Sequence, residues 1–162
     1  MLKGAIFEEE VSEYIYFDQV ILKMGDFYQE YNWLISDYDC LDYPSIKIPA
    51  NERYIWLTAK ELKQVISHSQ LPFMWGFFNG FHKNVKKEEV FLRLSSCVPR
   101  AEGCEVWRSD FQIQHPLAQV EIIAWEGTYL IMISKNEELI RNFRNQFPQA
   151  IDLYEYNKSR GW

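Results

Sequence analysis

The chain has 162 residues, 48% hydrophobic and 25% charged, which suits one domain that buries its own core without metals or disulfides. Its 23 acidic against 17 basic residues leave a net charge of −6, which argues against a nucleic-acid binder and against attachment to anionic membrane surfaces. No run approaches the ~20 apolar residues of a membrane span, and three cysteines make an odd set with no disulfide framework, so a cytoplasmic protein with reduced thiols is expected.

The start, Met1 to Glu8, lacks a long apolar core and turns acidic at once, unlike a signal peptide. Leu2 to Phe7 reads as a first strand. Ser12 is placed to cap a helix in which Tyr14, Phe17, Ile21 and Met24 recur at three- and four-residue steps, with Gly25 as its stop. Tyr31 to Ile35 predicts a second strand that runs into a loop, Ser36 to Pro44, dense in acids and tyrosines. Ile46 and Ile48 alternate with Lys47 before Pro49, the pattern of a short edge strand. Arg53 to Leu57 is a further strand, followed by a capping box, Thr58-Ala59-Lys60-Glu61, and a helix with Leu62, Val65 and Ile66 on one face.

Phe73 to Phe78 is continuous and apolar, as expected for a strand covered on both faces. Lys86 to Leu94 reads as a helix with Val90, Phe91 and Leu94 inward, and Phe111 to Ile113 as a short strand after an irregular section. The clearest stretch is Val120 to Phe147. Two β-branched and aromatic runs, Val120–Trp125 and Thr128–Ile133, are joined by Glu126-Gly127 and read as a hairpin. Ser134 and Glu137 form a second capping-box pattern, and Leu139, Ile140, Phe143 and Phe147 share one helical face. The tail is expected to dock as far as Tyr156 and to fray beyond it. These elements predict a single α+β domain over residues 1–162: a mainly antiparallel sheet with three to four short helices packed on it.

Chemical signatures are sparse. The chain has no G-x-S-x-G elbow, no phosphate loop and no dinucleotide fingerprint, so no catalytic residue and no cofactor is assigned. Cys40, Cys97 and Cys104 have only His68, His82 and His115 as possible bases, none in a recognisable setting. Cys97 and Cys104, with His115, are too widely spaced for structural zinc. Asp37, Asp39 and Asp42 begin like a calcium loop but lack its central glycine and terminal glutamate. No metal is assigned.

What stands out is aromatic content, with 6 Trp, 10 Tyr and 11 Phe, because rings beyond the need of a core favour interfaces. Asp37, Tyr38, Asp39, Asp42 and Tyr43 mix carboxylates with amphipathic rings, as a surface facing Arg and Lys would. The competing reading is a solvated loop whose tyrosines pack back on the core. Trp107, between Val106 and Arg108, either anchors its own loop or is offered to a partner. A second class of function, a small-molecule site or enzyme, would place a pocket between the sheet and the helices, lined by Trp75, Phe77 and Trp125.

The opening Lys3-Gly4-Ala5-Ile6-Phe7-Glu8, the run Tyr31-Asn32-Trp33-Leu34-Ile35 and the late hairpin with its helix resemble a family of small uncharacterised bacterial α+β proteins. In general character the acidic, aromatic-rich chain is similar to bacterial toxin-immunity proteins, the Smi1/Knr4-like among them. That resemblance implies a bacterial cytoplasmic protein that binds rather than catalyses, with a basic toxin domain as partner. It carries over no site residue.

Overall fold

A computed structural model of the chain describes residues 2–41 and 53–162. Its strands are β1 (Lys3–Glu8), β2 (Ile15–Tyr16), β3 (Tyr31–Cys40), β4 (Tyr54–Leu57), β5 (Pro72–His82), β6 (Val120–Trp125), β7 (Tyr129–Ser134) and β8 (Ile151–Asp152). They form one sheet in the order β4-β3-β5-β6-β7-β1-β8, with β2 on the start of β5, and the pairings are antiparallel. The helices are α1 (Phe17–Met24), α2 (Ala59–His68), α3 (Lys87–Arg93), α4 (Glu137–Gln146) and α5 (Leu153–Ser159). The architecture is α+β, one helix richer than expected.

Side chains alternate across the sheet, so each strand feeds two layers. Trp33, Ile35, Phe78, Ile122 and Met132 meet α1, α2 and α4 in the larger core. Phe77, Ile123, Ile131 and Ile133 meet α5 and the irregular segment before β6, while Leu34 and Phe81 meet α3. Cover on both faces is why Phe73–Phe78 of β5 reads as an unbroken apolar run. In the larger core Phe17 stacks on Phe78 at 3.8 Å and stands edge-on to Trp33 at 6.3 Å. The Trp33 indole N–H donates to the Tyr28 carbonyl at 3.0 Å, so the ring is buried without an orphaned donor.

The hairpin forms as its sequence indicates. Glu126 (φ 53) and Gly127 (φ 64) both take the left-handed region, and Thr128 N–H closes on the Trp125 carbonyl at 3.0 Å, the geometry of a primed turn. Gly127 has a second duty. A Cβ there would overlap the Glu13 carbonyl oxygen, because the chain leaving β1 crosses the turn at this point.

Several local signals lose to tertiary pairing. Ser12 accepts from Tyr14 N–H in a turn, but the helix begins only at Phe17, because Ile15 and Tyr16 pair with Phe73 and Pro72. The Thr58–Glu61 capping box forms as expected. The Ser134–Glu137 box does not: Ser134 is paired with Lys3 and Val120 as the last residue of β7. Asn136 caps α4 instead, accepting from Glu138 N–H at 3.0 Å. Phe111 to Ile113 is not a strand, although Phe111 is buried in the second core. The tail does not fray after Tyr156. Asp152 accepts from Glu155 N–H at 3.1 Å to cap α5, and Trp162 N–H returns to the Asn157 carbonyl at 3.0 Å. The edge strand expected at Ile46–Ile48 lies outside the described residues.

Candidate interaction surface

Ser36 to Cys40 is the continuation of β3, not a loop, with irregular register between Ser36 and Cys40 opposite β5. The irregularity is where Asp37 takes a positive φ of 44°, and it sends neighbouring side chains to different tasks. Ser36 Oγ donates to the Pro99 carbonyl at 2.7 Å, and the Asp37 carboxylate accepts from Ala101 N–H at 2.7 Å. Together they pin the irregular segment to the sheet, so Asp37 has a structural task. Tyr38 packs against the larger core. Asp39 is exposed, and its register partner is Trp75. Asp42 and Tyr43 lie outside the described residues.

Trp107 is half-buried at the centre of a run of rings on the sheet face that carries α5. Its ring meets Trp125 edge-on at 5.2 Å, Tyr129 at 5.6 Å and Trp162 at 5.5 Å. Trp125 in turn touches Trp75 at 4.8 Å. The result is a chain of rings, Trp75–Trp125–Trp107–Trp162, that starts beside Asp39 and ends at the C-terminus. Trp75 and Trp125 are half-buried, like Trp107, and Trp162 at the end of the chain of rings is 50% exposed. Of the acidic stretch, Asp39 is the described residue whose register places it beside this chain of rings, through Trp75.

The arginines around Trp107 are engaged within the chain. Glu105 and Asp110 bind the Arg108 guanidinium at 2.7 and 2.9 Å, which neutralises that cation beside Trp107. Arg160 lies over the Tyr156 ring at 4.9 Å, occupied with an aromatic face. Trp75, Phe77 and Trp125, considered above as pocket walls, pack on one another; Phe77 is fully buried, 6.4 Å from Trp125. Two clefts among the described residues are lined by other side chains.

One group escaped sequence reading. Glu121 is completely buried on β6, opposite Asn79 of β5. Its carboxylate accepts from Asn79 Nδ2, Gln114 Nε2 and Gln114 N–H, each at 3.3 Å. Burial pushes its pKa up to about 7, although those hydrogen bonds favour the charged form. The signal was there to find: a carboxylate inside an otherwise apolar run, Val120-Glu121-Ile122-Ile123. Gln114, which holds the carboxylate, also lines a polar cleft of about 460 Å³ bounded by Ser96, Cys97, Arg100 and Gln112.

Among the described residues no three His, Cys, Asp or Glu side chains converge as metal ligands. His115 is buried with both nitrogens engaged, Nε2–H donating to the Val90 carbonyl at 3.2 Å and Nδ1 accepting from Leu117 N–H at 3.3 Å. Burial lowers its pKa, which matches this neutral tautomer. Among the described residues no helix is long and apolar enough to cross a membrane.

All three cysteines are thiols. Cys40 is buried; Cys97 and Cys104 are both half-buried, Cys97 on the polar cleft, and burial pushes the Cys104 thiol up to about 12. Alkylation of the folded protein, followed by mass spectrometry, is expected to label Cys97 first and the other two only after denaturation. Equal labelling of Cys97 and Cys104, or a disulfide between them, would show that this segment opens in solution.

Comparison of the chain with family models, curated proteins and solved structures finds no match to any of the three.

Proposed function

We propose that the protein is a non-enzymatic bacterial cytoplasmic protein that binds a basic protein surface through the ring chain Trp75–Trp125–Trp107–Trp162 and the acidic edge at Asp39. The observation that supports it is the run of partly open indoles, continuous with that edge. Indole rings contribute large contact area at low entropic cost, and their faces attract Arg and Lys side chains. A toxin domain neutralised by this chain is the partner class that the resemblance implies, and an excess of acid suits encounter with such a domain.

The test starts with capture of a partner from the source organism, followed by binding kinetics of the purified pair at two salt concentrations. Asp39→Asn is expected to slow association and to weaken its salt dependence, because an exposed carboxylate acts mainly on encounter. Trp107→Ala is expected to speed dissociation by about 2 kcal/mol or more, the scale of an interface hot spot. Trp162→Ala removes a ring that is 50% exposed and lies outside the buried core, so it reports on the contact at a smaller cost to the fold than Trp107→Ala. Asp37→Asn serves as the control for stability, since that carboxylate holds Ala101 N–H. A captured protein that binds all these variants like the wild type, or that presents an acidic surface, refutes the proposal.

A further inference from the structure

On the opposite face of the sheet a cleft of about 330 Å³ opens between α1, the β1–β7 pair and the end of α4. We propose that it binds a small zwitterion with an apolar side chain, namely a free apolar α-amino acid, held by Lys23, Glu9 and an apolar floor. The floor is Phe7, Ile15, Val20, Leu130 and Phe147. The volume lies at the lower end of the ~300–1,000 Å³ typical of small-molecule sites, which limits the ligand to one of few heavy atoms.

Two opposite charges border this floor. The Lys23 ammonium rests over the Phe147 ring, 4.5 Å from its centroid, which holds it at the cleft instead of letting it sweep through solvent. Glu9 is fixed through its backbone, whose N–H donates to the Thr128 carbonyl at 2.6 Å. Its Oε1 accepts from Val11 N–H at 3.0 Å, which holds the carboxylate in place and leaves it acceptor capacity for a ligand. The two side chains do not neutralise each other: the ion pairs among the described residues are Arg100–Glu102, Arg108–Glu105 and Arg108–Asp110. The walls are also set, since Asn142 Nδ2 donates to the Met24 carbonyl at 2.9 Å and ties α4 to the end of α1.

Charge decides the ligand class. A simple carboxylate would gain Lys23 and be repelled by Glu9; a simple amine would meet the reverse. A molecule with both groups satisfies both, while its side chain covers the floor and removes apolar surface from water. The site is independent of the aromatic surface, so either reading can fail without the other.

The test is calorimetry and ligand-observed saturation-transfer NMR on the full chain, with L-phenylalanine and L-leucine as probes. The comparison compounds are 3-phenylpropionate and phenethylamine, which lack the ammonium and the carboxylate respectively. Both amino acids are expected to bind, and both comparison compounds to bind at least about tenfold more weakly, the factor for ~1.4 kcal/mol. Lys23→Ala is expected to weaken phenylalanine by a similar factor and to leave phenethylamine no weaker; Glu9→Gln should do the converse. Both side chains are at the surface, so unchanged melting curves are expected for the two variants. Absence of binding by either amino acid up to about 10 mM, or a singly charged compound binding as well as phenylalanine, overturns the proposal.

Discussion

Replacing Phe143 by alanine is expected to lower the unfolding free energy by about 3–5 kcal/mol, the cost of emptying a buried phenylalanine site. The ring is fully buried, lies 4.9 Å from Phe147 and belongs to the larger core between α4 and the sheet. Collapse cannot close the gap, because the sheet is braced on its other face and α4 is tied to α1 through Asn142 and Met24. Urea unfolding monitored by tryptophan fluorescence gives the measurement. A loss under about 1 kcal/mol would mean that α4 is not seated as described. Phe143→Leu should recover most of the loss, because much of the volume returns.

The second large effect is a dependence on pH. Glu121 has its pKa raised to about 7 in the folded protein from an ordinary value of 4.5. Between those two values the folded state holds a proton that the unfolded chain has released. The contribution is therefore fully present below about pH 4.5 and is lost as pH rises through about 7, to a total of about 3 kcal/mol at ~1.4 kcal/mol per pKa unit. His115 works in the opposite sense: its pKa is lowered by burial, so its contribution is present above 6.5 and lost as pH falls. Glu121→Gln isolates the first effect. The neutral amide keeps the shape of the protonated acid, and its N–H can be taken by Asn79 Oδ1, a buried atom without a hydrogen-bond partner, once that amide turns over. Denaturant unfolding at pH 5 and pH 8 should show the variant gaining on the wild type as pH rises. A difference between the two proteins that does not change with pH would mean that Glu121 is charged in the fold or easily hydrated.

Glu121 also shows where sequence reading stops. Its neighbours Val120, Ile122 and Ile123 identify a strand whatever the rest of the chain does, since β-branched runs bounded by turn residues have few other uses. The strand alone does not say that a segment seven or more residues away, at Gln114, seals the carboxylate from water. The same holds for the interaction surface. Asp37, Tyr38, Asp39 and Trp107 were visible as unusual residues in two separate stretches. That Asp37 is spent on Ala101 N–H, that Tyr38 faces the larger core, and that Trp75 and Trp125 bridge the gap to Trp107 are consequences of β3–β5–β6 pairing.

What the sequence by itself determined is local: the hairpin, the capped helix after Thr58, the doubly covered strand around Phe77, the amphipathic face of α4 and hence an α+β domain. These follow from periodicity and turn chemistry, which act over a few residues. Tertiary structure decided where elements begin and which residues meet. Ser12 and Ser134 carry helix-starting signals worth about 1 kcal/mol each, and both yield to strand pairing that satisfies several backbone groups at once. The tail became a helix because Asn157 reaches the carbonyls of Val106 and Arg108, at 2.9 and 2.8 Å, and Trp162 finds the ring of Trp107. Contacts across such sequence distances have no local signature, because it is the folded sheet that brings their partners together.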